Sequence, residues 1–338
     1  MKAPLPVGKL PGDLLAKVLS RAPLSDPRVL LGPGLGLDCA VIDIGQNLLV
    51  IKTDPITFAT SEIGWYAVQV SANDIATTAA EPRWFLATLL LPERATTSEQ
   101  VLEISEQAFQ ACRELGISVV GGHTEITYGL ERPILVGTMI GEVARQKLVT
   151  PRGAAIGHRL LLTKRVPVEA TALLAREFPE RLTDLFSPAE LQEASAFLYK
   201  PGISVVRDAR LACQAGRVSA MHDPTEGGLA SALWELAEAC QHSLFFEPSA
   251  VVVPEISRRI CEAFEIDPLA SIASGALLIA APFPDSDNIC QSLVSQGIPC
   301  SEIGWVEDGP PLVYWKSPAG RQVFPRPQRD EIARIFDQ

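Results

Sequence analysis

The sequence predicts an α+β protein built as two domains, and three observations carry that expectation. At 338 residues the chain exceeds what one hydrophobic core serves well, so two domains of roughly 150 residues each are expected. Short apolar runs alternate with amphipathic helical stretches in both halves. Between the halves, the stretch from Thr150 and Pro151 to Gly157 and His158 gathers turn residues and interrupts the pattern. The expected division is 1–152 for an N-terminal domain, 153–317 for a C-terminal domain and 318–338 for a polar, proline-containing tail.

Taken in order, the first half predicts a helix near Leu14–Ser20, strands at Ala40–Ile44 and Leu48–Thr53, a helix from Glu62 to Ala80 and a strand at Trp84–Leu91. Thr97, Ser98 and Glu99 supply capping chemistry for a long helix ending at Leu115. Strands return at Ile117–Val120 and Pro133–Val143. In the second half Arg159–Thr163 is a strand, and Pro188–Leu198 and Ile203–Ala215 are helices. A strand at Arg217–Met221 runs into His222-Asp223-Pro224-Thr225-Glu226-Gly227-Gly228, where Pro224 and Thr225 open a helix to Gln241. Strands at Ala276–Ala281 and Ile303–Val306 flank a helix at Asp285–Gln296. No repeat of 20–50 residues is visible.

Composition removes several function classes. Lys and Arg number 29 against 40 Asp and Glu, a net charge of −11, and no basic run exists from which to build a nucleic-acid surface. Any anionic ligand must be met by local donors or by metal. Neither a signal peptide nor an apolar stretch near the ~20 residues of a membrane span is present, so a soluble, cytoplasmic protein is expected. The seven cysteines are scattered without a Cys-x-x-Cys pair, which argues against a disulfide framework and a zinc knuckle.

Acidic punctuation marks the candidate site. Asp38 follows the permissive loop from Gly32 to Leu37, Asp54 ends an apolar strand, and Asn73-Asp74 extends the helical stripe Ile63, Tyr66, Ala67, Val70. Carboxylates where elements leave the core need a cation or donors, because desolvating one alone costs several kcal/mol. A hard cation with oxygen ligands is the expected partner, beside nucleotide phosphate. Each position also has a plainer reading, as a local Asx hydrogen bond, a turn with Pro55, or a loop needing positive φ. Gly121-Gly122-His123-Thr124-Glu125 follows a strand with two flexible positions and three polar side chains, although His123 could equally be a hydrogen-bonded structural histidine. Asp223 to Gly228 opens a helix whose free N–H groups suit an anion, or simply caps it. Ser274-Gly275 before an apolar strand admits close backbone approach or a bulge.

In order along nearly the whole chain, these blocks resemble the AIR (aminoimidazole ribonucleotide) synthase superfamily: Asp38, Thr53-Asp54, Ser71-Ala72-Asn73-Asp74, Gly121-Gly122-His123-Thr124, Asp223-Pro224-Thr225-Glu226-Gly227-Gly228 and Ser274-Gly275-Ala276-Leu277. The superfamily includes AIR synthase, thiamine-monophosphate kinase, selenophosphate synthetase and the hydrogenase-maturation protein HypE, to which the blocks are most similar. The resemblance implies the PurM-like fold of two α+β domains, a homodimer through the N-terminal sheets, and ATP with Mg2+. It implies phosphoryl transfer to a small-molecule or protein-borne acceptor, with a catalytically silent nucleotide-binding partner protein as the alternative. Asp38, Asp54 and Asp74 are then the metal ligands. Gly8, Lys9, Gly36, Asn73, Gly121, Gly122, Thr124, Asp223, Thr225, Gly227 and Gly228 are the nucleotide contacts, with Gly8-Lys9 folding over the phosphates. Where the family carries an acidic residue after the Gly-Gly pair this chain has His123, with Glu125 two residues on, and these two are expected as the catalytic pair. HypE also ends in a cysteine tail, whereas this sequence ends Ile335-Phe336-Asp337-Gln338, so carbamoyl dehydration is not expected.

Overall fold

The computed structural model describes residue 5, residues 10–34 and residues 36–336. Two compact units emerge. One holds Asp26–Gly32 and Asp38–Leu148; the other begins at Val149 and takes in the loop Pro33–Leu37 and the described residues up to Ser25. The first helix, α1 (Gly12–Leu19), therefore groups with the second unit and not with the N-terminal domain expected over 1–152.

The first unit is one six-stranded sheet with two helices. Its elements are β1 (Val29–Leu31), β2 (Ala40–Asp43), β3 (Asn47–Ile56), α2 (Ile63–Thr77), β4 (Glu81–Pro92), α3 (Ser98–Leu115), β5 (Ser118–Thr127) and β6 (Ile134–Ala144). The spatial order is β1-β2-β3-β6-β4-β5, antiparallel except that β4 and β5 run parallel across the α3 crossover. Strand β6 shows why the layers form, since Leu135, Met139 and Val143 are buried while Ile134, Val136 and Ile140 between them are half-exposed. The buried row faces α2, and Gly141 lets that helix approach: a Cβ there would come within 2.3 Å of Ile75. Because α2 is covered by the sheet beneath and by α3 alongside, every residue except Trp65 is buried. Helix α3 starts where Thr97 accepts a hydrogen bond from the Gln100 N–H, an N-cap contributing about 1 kcal/mol, and stops at left-handed Gly116.

The second unit carries β7 (Arg159–Thr163), α4 (Val168–Glu177), α5 (Pro188–Ser195), α6 (Val206–Ala215), β8 (Ala220–His222), α7 (Gly228–Cys240), β9 (Ser243–Phe246), α8 (Glu255–Ala263), β10 (Leu278–Ala281), α9 (Asp285–Ser295), β11 (Cys300–Glu307), β12 (Val313–Ser317), β13 (Gly320–Val323) and α10 (Ala333–Phe336). Its seven strands lie in the order β13-β12-β9-β11-β7-β10-β8. Leu278 pairs with both Leu162 and His222, and Cys300 pairs with Thr163. The end of β7, the end of β8 and the starts of β10 and β11 thus share one edge of the sheet. The core under the sheet packs Leu160, Leu229, Leu233, Phe246 and Leu278.

Two sequence expectations change here, and some elements were not foreseen. Helix α7 begins at Gly228, because left-handed Gly227 (φ 78°) precedes it and Pro224 and Thr225 stay in the loop. Helices α4 and α8 and strands β9 and β12 carry no expectation. The segment expected as a polar tail is built into the unit: β13 pairs with β12, and Asp330, Ile332 and Ala333 are buried. No described helix is long and apolar enough to cross a membrane.

Candidate functional site

Strand alternation sets Leu48, Val50, Lys52 and Asp54 on one face of β3. In register, Lys52 pairs with buried Met139 and Asp54 with Gly137, whose Cα lies under Ser71 and Ala67 of α2, so this is the helix-covered face. Asp74 on α2 meets the row: its Oδ2 lies 3.1 Å from Lys52 Nζ, with the Asp74 side chain only 3 % exposed. Burial pushes the Asp74 carboxyl up to about 7; Lys52 opposes that shift and Asp38 and Asp54 add to it. Burial also draws the Lys52 ammonium down, but Asp74, Asp38 and Asp54 outweigh it and hold the group well above its ordinary value. The three expected carboxylates therefore share one neighbourhood in the first unit. The Cys39 thiol donates to the Asp74 carbonyl at 3.3 Å, which ties the chain just after Asp38 to α2, and Asn73 beside Asp74 is fully buried.

Lys52 is the member that sequence reasoning missed. Its signal was present in the two-residue spacing to Asp54, which places an ammonium and a carboxylate on the same side of a strand.

His123 and Glu125 do not join this group within one copy of the chain. They sit inside β5 and not beyond its end, because the strand continues to Thr127. His123 pairs with Thr88, which pairs with Val136; Glu125 pairs with Leu90, which pairs with Ile134. Val136 and Ile134 belong to the half-exposed row of β6, so both residues lie on the face opposite to Lys52 and Asp54. Three strand spacings of about 4.8 Å separate β5 from β3. The two side chains meet each other, His123 Nε2 to Glu125 Oε2 at 3.3 Å, 65 % and 53 % exposed. The preceding glycines answer a packing need, since a Cβ on Gly122 (φ 151°) would lie 2.1 Å from the Ala87 carbonyl. Gly121, Gly122 and Thr124 also line a small cavity of about 240 Å³ beside Phe85, Ala108 and Phe109.

In the second unit, Asp223 is buried at the end of β8 and Thr225 stands in the loop that follows, its carbonyl accepting the Gly228 N–H at 2.9 Å. The Gly227 N–H, expected to be open to an anion, donates instead to Asp330 Oδ2 at 2.5 Å. Gly228 is pressed against the chain, a Cβ there falling 2.5 Å from the Ser271 carbonyl. Gly36 (φ 67°) is likewise close to the Glu235 carbonyl of α7. His222 Nε2 lies 2.7 Å from Glu235 Oε2. Glu169, on α4, accepts the Ser274 N–H at 3.3 Å; burial pushes its carboxyl up to about 7 against the Ser274 hydrogen bonds, with Asp330 and Glu226 adding to the rise. Gly8 and Lys9 lie outside the described residues.

Two α+β units in tandem, the first with a carboxylate cluster under its helix layer, define the class of protein by its fold. The models of the AIR synthase related protein match this chain in both halves, the N-terminal domain over residues 36–143 and the C-terminal domain over 155–316. The chain belongs to that family. It is 26 % identical over 315 residues to MJ0676 of Methanocaldococcus jannaschii, whose name places it provisionally in hydrogenase expression and formation, covering 89 % of this chain and 90 % of that one. It is 28 % identical to the carbamoyl dehydratase HypE of Cupriavidus necator, over 80 % of this chain and 77 % of the relative. A solved structure of the hydrogenase maturation protein HypE in complex with ATP superposes with a TM-score of 0.71 at 21 % identity, covering 94 % and 91 % of the two chains, which establishes the shared two-domain fold.

Proposed function

We propose that the chain is an ATP- and Mg2+-dependent enzyme that transfers a phosphoryl group to a small-molecule or protein-borne acceptor. The convergence of Asp38, Asp54 and Asp74 around Lys52 carries this reading. An all-oxygen donor set suits a hard divalent cation, and the buried ammonium offsets part of the charge that three carboxylates concentrate. Asp38 and Asp54 would hold the ion, with Asp74 held in place by Lys52. Bound Mg2+ would neutralise phosphate charge, which together with positioning makes up most of the catalysis of phosphoryl transfer. Lys52 keeps Asp74 fixed, and the Cys39 thiol ties the chain just after Asp38 to the Asp74 carbonyl. The HypE structure solved in complex with ATP supports nucleotide as the donor, and we read the site of action as cytoplasmic.

A homodimer completes the reading. The helix-free face of the first sheet presents Leu49, Ile51, Leu86, Leu90, Val136 and Ile140, all half-exposed. Such a face has the composition of an interface core. His123 and Glu125 stand on it, so their expected catalytic part would be played toward a second copy.

Calorimetry with Mg·ATP tests the assignment. Asp54→Asn should weaken binding by about tenfold, the loss expected from one charge-assisted contact. Unchanged affinity in that variant would remove the carboxylate cluster from nucleotide binding.

A further inference from the structure

A second, chemically opposite site lies in the second unit. Where β7 ends, a cavity of about 770 Å³ opens between the β7 end, α6 and the turn before β11. That volume falls in the range of small-molecule sites. Its wall carries Lys164, Arg165, Lys200 and Arg207 against the carboxylates Glu193 and Asp208. In a chain of net charge −11 such an excess of cations in one concavity is unusual.

The floor is built. Lys164 holds a left-handed backbone (φ 54°), a conformation a lysine adopts only where its surroundings enforce it, and its N–H donates to the Pro299 carbonyl at 2.7 Å. Its buried Nζ donates to the Ser204 carbonyl at 2.5 Å and lies 3.3 Å from Asp208 Oδ2. Asp208 Oδ1 accepts from the Thr163 hydroxyl at 2.8 Å, and that hydroxyl accepts the Leu277 N–H at 3.1 Å. Asp208 is thus engaged within the protein. The Arg207 guanidinium is steered by the Gln296 carbonyl and side chain at 3.2 and 3.3 Å, while Arg165 and Lys200 stand exposed at the rim.

We propose that this cavity binds the phosphoryl group of a phosphomonoester. Two guanidinium forks and an exposed ammonium around a lysine-floored hollow match the oxygens of a tetrahedral dianion. The position fits as well, because the same sheet edge releases Asp223 after β8 and Ser274-Gly275 before β10. All lining residues belong to the second unit, so the site stands or falls independently of the carboxylate cluster.

Titration of inorganic phosphate and methyl phosphate into the full chain tests it, with a chelator present and nucleotide absent so that metal-bridged phosphate is removed. Saturable one-site binding of both probes is expected, weakened about tenfold by Arg165→Ala/Lys200→Ala and unaltered by Arg94→Ala in the first unit. Both residues of the double variant are exposed, and its thermal midpoint should match the parent. Equal affinity in the double variant and the parent, absence of saturation, or rejection of methyl phosphate would each overturn the proposal.

Discussion

Lys52 and Asp74 form an ion pair at 3.1 Å between a strand and a helix, at 15 % and 3 % side-chain exposure, inside a cluster that holds two further carboxylates. The pair is thus both a structural tie and part of the candidate site. Lys52→Met should destabilise the fold by about 3 kcal/mol, because it leaves a buried carboxylate beside two like charges. Urea unfolding measures this, and Lys52→Met/Asp74→Leu should recover most of the loss. A single variant as stable as the parent would show that Asp74 finds its compensation elsewhere.

Glu169 should imprint a pH dependence on stability. Its folded pKa, raised by burial from 4.5 to about 7, means that between those values the folded chain binds the proton and the unfolded chain has released it. Stability from this group therefore falls as pH rises from 4.5 to about 7 and is flat above. The loss should amount to about 1–3 kcal/mol. Glu169→Gln should flatten the curve, as read by denaturation midpoints from pH 5 to 8; an unchanged profile would assign the dependence to other groups.

Asp330 closes the loop before α7 by accepting the Gly227 and Ile332 N–H groups at 2.5 and 2.7 Å. Asp330→Ala should cost about 1–3 kcal/mol by stranding buried donors. Hydrogen exchange should speed selectively at Gly227 and the first turn of α7, and Asp330→Asn should restore part of the protection.

The dimer reading predicts that Ile140→Lys, on the helix-free face, yields monomers with an intact fold. Light scattering at micromolar concentration distinguishes the outcomes. A parent chain that is already monomeric would remove the role given to that face.

Much of this was legible in the sequence because it rests on local pattern. The α+β character, the β2–β3 pair, α2, α3 and the grouping of Asp38, Asp54 and Asp74 follow from periodicity and from acids placed at element ends. What escaped was set by tertiary pairing. The Gly121-Gly122 pair reads as a turn, yet a neighbouring strand needs the room at Gly122, so β5 runs through it and carries His123 to the far face. Lys52 looks like an ordinary strand lysine until α2 brings Asp74 over it. The segment from Pro318 onward reads as polar because its one decisive acid, Asp330, looks like a surface residue in the sequence yet is buried.

The Asp330 contact spans 103 positions, which sets an order of events during synthesis. At roughly 5–20 residues per second, the first turn of α7 waits about 5–20 seconds on the ribosome for its acceptor. Through that interval the Gly227 amide must be hydrated or borrowed by another group. The nascent second unit is therefore vulnerable at this turn, and a chain stalled before Asp330 would present α7 with its start unlatched to chaperones and proteases.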